Sequence, residues 1–96
     1  MSYRIKPTFR FQKETKVLAK KYPSLKVELM ALGQSLAENP RQGSFLGKNC
    51  YKIRLAIRSK GKGRSGGARV ITCVFASDEE VILLTLYDKK AKADLY

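Results

Sequence analysis

Cys50-Tyr51-Lys52-Ile53-Arg54-Leu55-Ala56-Ile57-Arg58 is the stretch on which the fold turns. Tyr51, Ile53, Leu55 and Ile57 alternate with Lys52, Arg54, Ala56 and Arg58, the period of a β-strand with one buried and one wet face. Lys52, Arg54 and Arg58 therefore share the face turned away from the core. Beyond them, residues 59–67 (SKGKGRSGG) are glycine-rich and cationic and read as a mobile hairpin loop. Residues 68–76 and 81–87 are nearly continuous apolar runs separated by the acidic turn Ser77-Asp78-Glu79-Glu80, which predicts two central strands of an antiparallel meander. A hairpin places Arg69, at the start of the first run, on the face that carries Lys52 and Arg54.

Toward the N-terminus the period becomes helical. Thr8 is a natural N-cap for a helix to about Lys21, with Phe11, Leu18 and Tyr22 on one side. Ser24 is expected to cap a second helix whose Leu25, Leu29, Leu32 and Leu36 form an apolar stripe, ended by Asn39-Pro40. The short connection makes the pair an antiparallel hairpin. Tyr3 to Pro7 reads as an edge strand, because Pro7 has no N–H to give a central ladder. Asp88 would cap a short helix to Tyr96. The expected architecture is α+β in a single domain over 1–96: an N-terminal strand, then a helical hairpin packed on a small twisted antiparallel sheet, in the order β-α-α-β-β-β-α.

Twenty Lys+Arg against eight Asp+Glu give a net charge of +12 in 96 residues. No acidic residue occurs between Glu38 and Asp78, while Arg41, Lys48, Lys52, Arg54, Arg58, Lys60, Lys62, Arg64 and Arg69 all fall there. Concentrated charge of this kind favours a polyanion over a merely solvated surface. There is no histidine, which excludes serine–histidine and cysteine–histidine catalysis and most zinc sites. Cys50 and Cys73 form no CxxC motif and read as unpaired small hydrophobes in a reduced cytoplasmic compartment. No run approaches a membrane span, and no cofactor or metal is expected.

Cleaving RNA through its own 2′-hydroxyl requires removal of a proton, delivery of one to the leaving oxygen and stabilisation of added negative charge. Arginine holds phosphate oxygens bidentately and stays charged. A lysine crowded by other cations loses its proton more easily and can serve as a base. A tyrosine stacks on an unpaired base. Arg58, Lys60, Lys62 and Arg64 are the candidate RNA contacts of the loop. Its Gly61-to-Ala68 run lacks the Gly-Lys-Ser/Thr ending of a P-loop and stands between strands, so nucleotide binding there is poorly supported.

Taken together, Cys50-Tyr51-Lys52-Ile53-Arg54-Leu55, Phe11-Gln12-Lys13 through Leu18-Ala19-Lys20-Lys21-Tyr22, Asn39-Pro40, Leu46-Gly47 and Leu84-Thr85-Leu86-Tyr87-Asp88-Lys89 resemble the RelE/ParE superfamily of toxins from type II toxin–antitoxin systems. Ser65-Gly66-Gly67-Ala68-Arg69-Val70-Ile71 is similar to its HigB-like branch. The resemblance spans about residues 5 to 96. It implies a ribosome-dependent endoribonuclease that cuts translated mRNA and is silenced by a cognate antitoxin protein. By position it implies Lys52 and Arg54 as catalytic cations, Lys52 the base, and Arg69 as the group that stabilises the transition state. Lys90, with Lys89 as the competing alignment, falls where RelE proper has an arginine credited with acid catalysis, and Tyr96 falls at a base-stacking tyrosine. The hairpin between Arg54 and Arg69 is longer than in RelE proper. Two rivals remain at this point, a ParE-like DNA gyrase inhibitor and a non-catalytic RNA- or ribosome-binding module.

Overall fold

A computed structural model describes residues 2–61 and 63–90, and of Arg64 and Ser65 the backbone alone. Strand β1 (Arg4–Pro7) leads into helices α1 (Phe9–Lys21) and α2 (Leu25–Glu38). Strands β2 (Ser44–Gly47), β3 (Cys50–Leu55), β4 (Ala68–Phe75) and β5 (Glu80–Asp88) follow, and the five strands form one sheet in the order β1-β5-β4-β3-β2. The α+β plan with two helices on one sheet is as the periodicities predict.

Thr8 caps α1 as expected, its hydroxyl accepting from the Phe11 N–H at 3.0 Å. The same hydroxyl donates to the Leu84 carbonyl, which ties the helix start to β5. Leu25 and Leu36 are fully buried, and Leu29 and Leu32 pack against the same core. Ile53, Leu55, Val70, Val74, Val81, Leu83 and Leu86 supply the sheet's side of that core.

Three details differ from expectation. The sheet is mixed, because β1 lies at its edge parallel to β5, with Ile5 opposite Val81. A fifth strand, β2, pairs antiparallel with β3 and lies at the other edge. It was hidden by its length of four residues, too few to show a period. Ser24 does not cap α2: its hydroxyl instead meets Glu28 and Ser59, stitching the helix start to the segment after β3.

That segment is more ordered than its glycines suggest. Arg58–Lys60 forms a 3₁₀ turn ended by Gly61 at φ +74°, and Gly63–Gly66 adds one helical turn. The Glu28 carboxylate accepts from the Arg58 N–H at 2.5 Å and the Ser24 hydroxyl from the Ser59 N–H at 3.0 Å. Gly67 passes so close to Leu55 that a Cβ would collide with the Leu55 carbonyl oxygen, which is why the chain turns into β4 on a glycine. The proposed C-terminal helix lies almost wholly outside the described residues, and 89–90 form a turn.

The cysteines require a correction. Cys50 and Cys73 are directly opposite each other in the β3–β4 ladder, with Cα atoms 4.1 Å apart, and are disulfide-bonded. The register that faces Arg54 with Arg69 also faces these two, so they are not the unpaired small hydrophobes that their spacing in sequence suggested.

Candidate nucleic-acid interface

Strand alternation assigns the faces. Ile53 and Leu55 on β3 and Val70 and Val74 on β4 belong to the core under the helices. Cys50, Lys52 and Arg54, and Arg69, Ile71 and Cys73, therefore project from the other face. Ile71, Cys73 and Tyr87 are buried yet stand outside the core cluster, consistent with that second face.

The register arranges this face in rows. Arg54 faces Arg69, which faces Tyr87. In the next row Lys52 faces Ile71, which faces Thr85. Neighbouring strands run about 4.8 Å apart and two strand residues span about 6.6 Å, so Lys52, Arg54 and Arg69 start from backbone positions within about 8 Å of one another, near enough for long side chains to reach one phosphate. Arg54 is exposed and Lys52 half-buried, whereas Arg69 is only 7% exposed and donates to the Ala68 carbonyl at 3.1 Å. A seated guanidinium beside an open one gives a polyanion both a fixed and an adaptable partner.

Gly43 shapes the same strand from β2's approach. At φ +95°, it lies where a Cβ would strike the Lys52 carbonyl and the Ile53 side chain, so the preceding loop can hug the back of Lys52 only as glycine.

At the end of β5 the chain returns to this region. The Lys89 N–H donates to the Gly67 carbonyl at 3.2 Å, next to Ala68 and Arg69, and Lys89 and Lys90 are both exposed. The two alternative lysines of the tail thus begin at the Arg54–Arg69 end of the sheet rather than at its far end.

Lys60 behaves otherwise. Its side chain is 6% exposed and its ammonium lies 2.6 Å from Asp88 Oδ1, with the Gly67 carbonyl at 3.4 Å and the Tyr22 ring beneath it. The Tyr22 hydroxyl donates to the other Asp88 oxygen at 3.2 Å and the Lys90 N–H to Oδ1 at 3.0 Å. Burial works to raise the Asp88 pKa. The hydrogen bonds from Lys60 and Lys90, the Lys60 charge and the Tyr22 hydroxyl outweigh it and hold the carboxyl below its ordinary value. Lys60 is therefore a structural cation that turns inward, not an RNA contact, and Asp88 is its partner as well as the cap of the turn after β5. Arg58 remains exposed. Lys62 and Tyr96 lie outside the described residues, as does the side chain of Arg64.

Tyr87, Tyr22 and Asp88 escaped the reading of the sequence as site-forming residues. Tyr87 completes the Arg54–Arg69 row. The one available signal was the isolated Asp88 at the end of an apolar strand within a strongly cationic chain.

Among the described residues no group of three His, Cys, Asp or Glu side chains is placed to hold a metal ion, and no helix is long and apolar enough to cross a membrane.

Two helices on a mixed five-stranded sheet are the fold of the solved RelE toxins that this chain resembles, and the likeness to RelE expected from the sequence is borne out in the fold. The chain superimposes on a double mutant of E. coli toxin RelE in the free state with a TM-score of 0.71, at 24% identity over 97% of this chain and 90% of that one. It is similar to the intact E. coli RelBE toxin–antitoxin complex (TM-score 0.63, 25% identity, 91% and 96% covered). The RelBE2 toxin–antitoxin complex of Mycobacterium tuberculosis matches at TM-score 0.66 and 15% identity, with 92% of each chain covered. No protein-family model matches the sequence.

Proposed function

We propose that this protein is the toxin of a toxin–antitoxin pair and an endoribonuclease that cleaves translated mRNA on the ribosome. The observation that carries the reading is the pair of adjacent rows on one sheet face, Arg54 facing Arg69 with Lys52 one row away, within a RelE fold. Lys52 acts as base on the ribose 2′-hydroxyl. Arg69, held in the sheet, stabilises the charge that develops on the phosphorane, and Arg54 grips a non-bridging oxygen. Lys90, or Lys89 beside it, supplies the proton to the leaving oxygen, and Arg58 with the cations of 62–64 extends the phosphate track. Tyr96 stacks on a base. Side-chain cations fill every role, so the reaction as written needs neither metal nor cofactor. The site of action is the cytoplasm.

The partner is a cognate antitoxin. The solved structures it resembles include toxin–antitoxin complexes. The helical hairpin exposes Phe9, Val17, Val27 and Met30 among Lys13, Lys16, Lys20 and Lys26, a surface that suits an acidic amphipathic segment.

Induced expression followed by mapping of mRNA 5′ ends tests the function. New ends confined to translated frames, and abolished when translation is blocked, are expected. Growth arrest with uncut mRNA and inhibited DNA supercoiling would replace the nuclease with the gyrase reading.

A further inference from the structure

The Cys50–Cys73 disulfide lies on the cationic face. Cys50 precedes Lys52 by two residues on β3, so both side chains leave the strand on the same side. Across the ladder Cys73 stands two residues from Ile71, the partner of Lys52. The bond therefore joins the two strands that carry Lys52, Arg54 and Arg69, one row beyond Lys52. We infer that Cys50–Cys73 is a redox-responsive staple that holds β3 and β4 in register and so sets the affinity of this face for RNA. The inference rests on the RNA-binding reading of that face.

Three observations support it. The bond closes a separation of 23 residues that includes the 3₁₀ turn, the helical turn and the entry into β4, so it restricts a long excursion of the unfolded chain. Beyond Cys50 the β3 ladder soon ends: Asn49 and Lys48 both have positive φ, and Gly47 pairs with Cys50 across an irregular register. On the β3 side this end of the sheet has only the four-residue β2 outside it, whereas the other end is clamped by Lys60 and Asp88. Finally, Cys50 is partly exposed while Cys73 is 7% exposed, so one sulfur is open to attack in a cationic setting that draws thiolates.

The exchange is balanced with a small dithiol as reductant. Its thiolate attacks Sγ of Cys50, the Cys73 sulfur leaves as a thiolate and takes up a proton, and the reductant's second thiol then displaces Cys50 from the mixed disulfide. Two electrons and two protons pass to the protein and the reductant closes on itself as a disulfide. In the reduced chain, molecules with β3 and β4 out of register at this end do not bind, and apparent affinity falls in proportion to their share.

The test uses the whole chain purified in air, with and without dithiothreitol, and single-stranded RNA binding read by fluorescence anisotropy at fixed salt. The oxidised form should titrate no free thiols and the reduced form both cysteines. Reduction should weaken RNA binding about threefold or more and lower the melting temperature by about 8 °C or more. Cys50→Ser and Cys73→Ser should match the reduced protein under both conditions. Free thiols in the air-purified chain, equal RNA affinity in the two redox states, or the same dithiothreitol effect in the serine variants would each overturn the inference. RNA binding absent from both states would defeat the RNA reading and this regulation together, and a melting shift that persisted would mark that as a failure of the function rather than of the staple.

Discussion

Arg54 and Lys60 are six positions apart, carry the same charge and belong to the same acid-free stretch, yet they end in opposite circumstances. Arg54 stands open on the sheet face opposite Arg69. Lys60 is drawn into the protein by Asp88, 28 residues away, and by the Tyr22 ring and hydroxyl network. The difference shows that a cationic segment is not one functional unit. A single carboxylate arriving from another strand converts a potential phosphate contact into a clamp, and the clamp closes the end of the sheet where Arg54, Arg69 and the tail lysines assemble.

Removing cations from the open face and from the clamp should have opposite consequences. Lys52→Ala or Arg69→Ala should lower the rate of mRNA cleavage by about 100-fold or more, because each removes a group that the proposed reaction uses in its transition state. Single-turnover cleavage by variants with unchanged circular dichroism checks this. Lys60→Ala should do the reverse. It leaves a buried Asp88 without its countercharge and should cost about 3 kcal/mol of stability in urea, with cleavage by the folded fraction changed little.

Acid sharpens the same contrast. Because the folded Asp88 pKa lies below its unfolded value, its stabilising contribution is complete above the unfolded pKa and is lost as pH falls through the folded one. The loss therefore falls below about pH 4. In that range the wild type should lose more stability than Lys60→Ala, in which the stabilised state no longer exists.

Smaller effects are expected farther from the clamp. The Glu14 carboxylate accepts from the Leu86 N–H at 2.9 Å and the Thr85 hydroxyl at 2.7 Å, filling the edge of β5 beyond the end of β1. Glu14→Ala should cost about 1–2 kcal/mol by chemical denaturation. Glu80 is paired with the exposed Lys6 at 2.8 Å and the exposed Arg4 at 3.0 Å, and Glu80→Gln should move the melting temperature least of these variants.

How much of this was legible depends on whether the information is local. The alternation over residues 51–58 and the leucine stripe of α2 are periodic signals carried by neighbours, and both elements form where they were read. β1 appeared as a strand, but its parallel pairing with β5 is a contact across nearly the whole chain, which no local pattern records. β2 was too short to show a period. The loop after β3 looked mobile because its glycines were read as freedom, whereas Gly61 serves a turn and Gly67 a close approach to Leu55. Lys52, Arg54 and Arg69 were legible as a set because strand parity and a hairpin sufficed to bring them to one face. Lys60 was misread because its fate depends on Asp88, and the cysteine pair was missed although the Arg54–Arg69 register already contained it.

A purified translation reaction programmed with one mRNA, to which the wild-type chain or Lys52→Ala is added, shows by its mRNA 5′ ends whether the β3–β4 face carries out cleavage. Discrete cuts at ribosome-occupied codons are expected with the wild type and their loss with Lys52→Ala, while both proteins still associate with ribosomes. Equal cutting by the two proteins would take the chemistry away from the β3–β4 face, and intact mRNA with both would show that the face binds without cleaving.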